Sequence, residues 1–286
     1  MGRMQSRLWA FRLEHGNTAM RFIALITILL AAACTSKVHG PGAPAPAPVT
    51  AEKPTGITTS AKLVREMHDR YAGKWYKTLT FQQTNTFYTS AGKEEKSQWM
   101  QRLSVPGRLR IDFLPLSTRS GLLIQNNRVI TFDNGRRVDS RRSIQPVLTL
   151  TGDVYAIPAS ITLRRLDSLG VDLDKFHEEK WEGKRVYVMG AEQGDLSLNQ
   201  VWIDADRLLL VRFVQRDRRG ERFVITDTRV GDYREVDGYT VAFEFTSYRD
   251  GKLFFKEQYE NLKVNEPIAP ELFDPSRWAT VQATLP

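Results

Sequence analysis

From residue 60 onward the chain is dominated by short runs in which apolar and polar side chains alternate. Leu109, Ile111 and Phe113 alternate with Arg108, Arg110 and Asp112, and Trp99, Leu103 and Val105 stand between polar neighbours. Successive side chains of a strand point to opposite faces, so this pattern predicts a half-buried antiparallel sheet with its charged residues in water. Residues 122–124 and 128–132 flank Asn126-Asn127, a turn dipeptide, and predict a hairpin. More strands are predicted over 185–189, 200–203, 208–215, 222–230, 239–248 and 253–264. Turns are expected between them at Asp204-Ala205-Asp206, Arg219-Gly220, Asp237-Gly238 and Asp250-Gly251, and Trp181-Glu182-Gly183 reads as the edge of another.

The period changes to a helical one in three places. Leu63, Val64, Met67 and Tyr71 share one face of a helix over 61–71, and shorter helices are predicted over 143–150 and 159–169. The last follows Pro158, carries Leu163, Leu166 and Leu169, and stops at Gly170. The expected class is therefore mainly β with some helix: antiparallel strands in chain order that make a curling meander. One face of such a sheet must be covered, and the helices at 61–71 and 143–169 are the candidates. Tyr239, Val241, Phe243 and Phe245 make that face unusually aromatic. It is either a packed core or a surface for a ligand, and the pattern alone leaves both open.

The first 58 residues follow other rules. An apolar stretch over 22–33, broken only by Thr27, is preceded by Arg21, Arg12, Arg7 and Arg3 and ends in three alanines before Cys34. As a helix it would reach about 18 Å, short of a roughly 30 Å hydrocarbon core, and its basic, apolar, small-residue order is that of a secretory signal. Met20 is an alternative start. After Cys34, the stretch HGPGAPAPAPVTAEKPTG has too much proline for a helix or a ladder and predicts an extended tether.

Small residues before a lone cysteine resemble the lipobox of bacterial lipoproteins, with Ala31 where Leu is usual. The resemblance implies cleavage before Cys34, acylation of its thiol and a lipid anchor. With Thr35 where an aspartate would signal inner-membrane retention, it implies the outer membrane, facing the periplasm. The expected organisation is a signal over 1–33, an acylated Cys34 and tether over 34–58, and a folded domain over 59–286.

Composition adds exclusions. A single cysteine rules out intrachain disulfides and thiolate zinc sites. The net charge of +8 falls to 37 basic against 32 acidic residues without the signal. The clusters Arg136, Arg137, Arg141, Arg142 and Arg216, Arg218, Arg219, Arg222 are solvated strand ends or contacts for anionic headgroups. Nucleic acid is not an expected partner of an exported protein. Within the domain only His68 and His177 remain, neither in a metal-binding H-E-x-x-H, and no G-x-S-x-G, P-loop or G-x-G-x-x-G occurs. No catalytic residue, metal or cofactor is therefore expected.

The order of motifs is similar to that of the LolA/LolB family of lipoprotein carriers and receptors. The residues that carry the likeness are PGRLRI at 106–111, GLLI at 121–124 with 127–132, VWID at 201–204, DYREVDG at 232–238 and ELFDP at 271–275. The resemblance spans roughly 70–278 and implies an unclosed β barrel lidded by helices, whose cavity takes acyl chains of a lipid or lipoprotein. A further periplasmic transport protein is an expected partner. The concave face is expected to be lined by Trp99, Leu109, Ile111, Leu123, Trp202, Phe213, Phe223 and Phe243. In the receptor a loop after the third strand works on the membrane, and here Leu114 and Leu116 correspond, with Leu116 the better match. Related half barrels also serve as periplasmic sensors, which is the alternative reading.

Overall fold

The computed structural model describes residues 56–89 and 91–281. The signal, Cys34 and most of the tether lie outside the described residues. Helix α1 (Ser60–Tyr71) opens the domain and six strands follow: β1 (Thr78–Tyr88), β2 (Glu94–Ser104), β3 (Arg108–Phe113), β4 (Gly121–Gln125), β5 (Arg128–Asp133) and β6 (Arg136–Arg142). Helices α2 (Pro146–Thr151) and α3 (Ala159–Ser168) interrupt. Seven strands complete the sheet: β7 (Phe176–Trp181), β8 (Lys184–Met189), β9 (Gln200–Asp204), β10 (Leu210–Arg219), β11 (Arg222–Val236), β12 (Tyr239–Arg249) and β13 (Lys252–Val264), and 3-10 turns follow at Pro270–Phe273 and Pro275–Arg277.

All thirteen strands form one antiparallel sheet in the order β6-β5-β4-β3-β2-β1-β13-β12-β11-β10-β9-β8-β7. The first and last strands pair with each other, Leu79 opposite Val264 and Phe87 opposite Phe255. Among the described residues the only consecutive strands left unpaired are β6 and β7, and they are the two edges. The helical insertion at 143–169 occupies that break, so the expected unclosed, helix-lidded sheet is what forms.

Local chemistry explains the elements. The Thr59 hydroxyl accepts from the Lys62 amide at 3.2 Å and caps α1, whose Leu63, Val64 and Met67 are fully buried. Helix α2 starts at Pro146, whose missing N–H needs no partner in a first turn. Asn126 and Asn127 both hold φ near +50°, the geometry a two-residue hairpin requires and that asparagine tolerates. Gly170, at φ 75°, stops α3 as expected.

One face of the sheet is covered by the helices, and parts of the other are buried as well. On the helix side, Leu63, Met67, Leu150, Tyr155 and Leu166 pack on Tyr187, Met189, Val201, Ile203, Phe213, Val230 and Phe245. On the other side, Leu123, Ile130 and Phe132 lie under the C-terminal segment through Phe273 and Trp278, and Val186, Val188, Trp202 and Val211 form a second outer cluster. This corrects the half-buried reading of β3. Arg110 is only 2% exposed, bidentate to Asp112 at 2.8–3.1 Å, donating to the Leu272 carbonyl at 3.0 Å and lying 4.0 Å beneath the Trp278 ring. The charged side of the strand is buried because the last turns of the chain fold back over it.

Candidate functional site

The helix-covered face of the sheet is the candidate site. Trp99 stands opposite Phe113 across β2 and β3, Ile111 opposite Gln101, and Leu109 opposite Leu103 and Ile124. Strand alternation therefore puts Trp99, Leu109, Ile111 and Phe113 on one face. That face looks toward the lid, because Ile124 lines a cleft with Leu148 and Ile157 from the helical insertion. Phe213 also belongs here, packed with Leu150, Leu166, Leu169 and Val171.

Three of the predicted lining residues go elsewhere. Leu123 and Trp202 point to the outer face: Leu123 under Phe273 and Trp278, Trp202 against Val186, Val188 and Val211 with the Arg212 guanidinium 4.5 Å over its ring. Both sit in continuous apolar runs, GLLI and VWI, where period-two reading cannot tell the faces apart. Phe223 is 51% exposed at a hairpin tip, covered in part by Arg216 at 3.6 Å. Phe243 is buried two residues from Phe245 on β12, with the Arg234 guanidinium 4.4 Å over its ring. Leu114 and Leu116 are half-buried in a tight connection with a short 3-10 turn at Leu116–Thr118. The following Arg119 carbonyl accepts from the Trp278 indole at 3.0 Å and from the Gly135 amide at 3.0 Å, which ties this connection to the outer cover.

The face also holds a polar cluster that pattern reading missed. Gln83 stands between Trp99 on β2 and Tyr259 on β13, and Asn85 stands opposite Glu257. The Gln101 amide donates to the Gln83 carbonyl oxygen, the Gln83 amide donates to the Asn85 carbonyl oxygen, and Asn85 donates to the Ser97 carbonyl at 3.5 Å. The Tyr259 hydroxyl donates to Glu257 at 3.3 Å, while its ring stacks on Phe81 at 4.2 Å and tilts against Phe245 at 5.4 Å. Gln83 and Asn85 are fully buried. Glu257 is closely surrounded by protein yet keeps partial access to solvent, and burial pushes its carboxyl up to about 7, against smaller opposing effects of Tyr259 and Gln83.

The lid is fastened by aromatic and ionic contacts. Tyr71, Trp75 and Tyr155 meet with ring centres 4.0–5.0 Å apart, and the Tyr155 hydroxyl donates to the Leu208 carbonyl at 3.1 Å. Asp153, 1% exposed, accepts from Arg165 at 2.5 Å and from the Gly107 amide at 2.7 Å, so it joins the insertion to the β2–β3 turn. Desolvation raises its carboxyl above the ordinary range while these two donors oppose the rise. Beneath α3 the gap beside Phe213 is only about 10 Å³, the size of one water. By contrast, a cleft of about 600 Å³ opens beside Ile124, Leu148, Ile157 and the Asp153–Arg165 pair. Among the described residues no group of three or more His, Cys, Asp or Glu could hold a metal, and no helix is long and apolar enough to cross a membrane.

This arrangement defines a class: an open antiparallel half barrel whose concave face is lidded by an inserted pair of helices. No protein-family model and no curated protein matches the chain. Solved structures do. An outer membrane lipoprotein-sorting protein domain from Vibrio parahaemolyticus superposes with a TM-score of 0.52 at 12% identity, covering 77% of this chain and 97% of that one. A DUF1329 family protein from Desulfovibrio piger gives 0.51 at 15% identity over 77% and 97%. A LolA superfamily protein from Nitrosomonas europaea gives 0.49 at 10% identity over 76% and 98%. At such identities the likeness is one of fold: the chain shares the architecture of the Vibrio parahaemolyticus domain and the Desulfovibrio piger protein, an unclosed half barrel of the kind that the motif order suggested.

Proposed function

We propose that the chain is a lipoprotein tethered to the outer membrane that takes acyl chains of a lipid or lipoprotein into the face beneath the lid, for sorting or transfer in the periplasm. The single observation that carries this reading is the concave face of an unclosed sheet, aromatic and apolar along Trp99, Phe113, Ile111 and Leu109, with an open cleft at its Ile124 end. Hydrocarbon laid on it would gain about 25 cal/mol per Å² removed from water, with no covalent step. Cys34 would supply the anchor and the Pro/Ala segment the reach. The Vibrio parahaemolyticus domain of the same fold is described as lipoprotein-sorting, which supports the reading without assigning a cargo.

The gap of about 10 Å³ under α3 favours a second reading, a sensor or partner-binding lipoprotein whose shell is filled by its own side chains. Occupancy under the first reading requires the lid to move off β9 and β10. Native mass spectrometry of the protein purified from cells separates the two. A co-purifying acyl species supports lipid binding. A protein of bare polypeptide mass apart from its own anchor, unable to take up an added fluorescent fatty acid, would refute it.

A further inference from the structure

Because every neighbouring pair of strands is antiparallel, the connections after β1, β3, β5, β8, β10 and β12 all lie at one end of the sheet. Of four strongly exposed large hydrophobic side chains among the described residues, three are at that end: Leu196 at 44%, Phe223 at 51% and Leu253 at 36%. Phe223 sits on a hairpin that projects. The last β9 partner of β10 is at Val214 and the last β12 partner of β11 is at Thr226, yet β10 and β11 stay paired to Arg219 and Arg222. The Arg216 amide still donates to Asn199 at 2.6 Å, Ile225 is held by Asp250 and Val224 is buried, so the ribbon runs on past its neighbours by about three residues a strand, roughly 10 Å at about 3.3 Å per residue.

The projecting tip is basic. Arg216, Arg218 and Arg222 are exposed, Arg219 is half-buried, and the next hairpin adds Arg249 and Lys252, against acidic Asp217, Glu221 and Asp250. Asp250 is engaged in accepting from the Ile225 amide at 3.0 Å. The Arg216 guanidinium lies 3.6 Å from the centre of the Phe223 ring, which joins charge and apolar surface in one spot. A narrow ribbon offers too little area for a stable protein interface, which takes about 800 Å² per partner. It suits a lipid headgroup layer, where each basic side chain contributes separately and an aromatic ring seats at the acyl boundary.

We propose that this rim is a docking surface for an anionic phospholipid membrane. It is separate from the face under the lid and does not depend on what that face binds. The test uses the full chain with Cys34→Ser, which removes the acylation site, sedimented with vesicles of phosphatidylcholine alone or with about one third phosphatidylglycerol. The charge-reversal variant Arg218→Glu/Arg219→Glu/Arg222→Glu is expected to lower the preference for anionic vesicles on the order of a hundredfold. High salt should weaken the wild type toward the variant. Phe223→Ser, which keeps the charges, should weaken binding to anionic vesicles without abolishing its salt dependence. Backbone hydrogen exchange over 216–223 should slow only with anionic vesicles, while circular dichroism confirms that the variants fold. Equal sedimentation of wild type and charge-reversal variant, or unprotected exchange at the tip, overturns the proposal. So does binding to a soluble polyanion with no preference for anionic vesicles.

Discussion

Replacing Glu257 by Gln should stabilise the domain, and only above about pH 5. The carboxyl sits on the lidded face beside Tyr259 and Gln83, where burial raises it from about 4.5 to about 7. A folded-state value above the unfolded one means the native protein binds the proton more tightly. The resulting stability is fully present below about pH 4.5 and is lost as pH climbs through about 7. At about 1.4 kcal/mol per pH unit the loss comes to about 3 kcal/mol, an upper figure because Glu257 keeps partial solvent access. Glutamine preserves an oxygen for the Tyr259 hydroxyl and carries no charge. Urea unfolding followed by tryptophan fluorescence between pH 4 and 8.5 should give coincident curves at the acid end. By pH 8 the variant should be ahead by up to about 3 kcal/mol. A variant that tracks the wild type at every pH, or loses stability most at high pH, contradicts this account of the cluster.

Other substitutions probe other links. Asp112→Ala leaves Arg110 buried without its carboxylate and should cost about 3–5 kcal/mol in the same urea assay. Arg165→Ala strands Asp153 under the lid; a fall in stability with faster hydrogen exchange over 146–168 is expected, the exchange showing that the lid loosens first. Trp278→Ala should cost about 3–5 kcal/mol, because the ring stacks on Phe132 at 4.2 Å and covers Arg110. Cys34→Ser should abolish metabolic labelling with a radioactive fatty acid and release the protein from membrane fractions at high salt; retained label would place the acyl group elsewhere.

Much of the architecture is legible in the chain. The turns at Asn126-Asn127, Asp237-Gly238 and Asp250-Gly251 fall where expected, and their first residues hold positive φ. Helices α1 and α3 show their faces through Leu63, Met67 and Leu166. Three strands are silent for physical reasons. β6, RRVDSRR, is a polar edge whose arginines discourage further pairing, and β7, FHEEKW, is the opposite edge. β1 carries Gln83 and Asn85 where an apolar alternation would be looked for, because those positions belong to the buried amide cluster. The site is less legible than the fold for one reason. Where the sheet is buried on both faces its strands become continuous apolar runs, so Leu123 and Trp202 look like Phe213 until the register separates them.

That separation supplies the most direct test of the proposed function. A photoreactive phenylalanine analogue placed at Phe213, beneath α3, and in a second protein at Trp202, on the outer face, can be irradiated in intact cells and the adducts identified by mass spectrometry. The account predicts acyl-containing adducts at 213 and none at 202. Equal labelling at both positions, or adducts at neither while the protein remains folded, would contradict it.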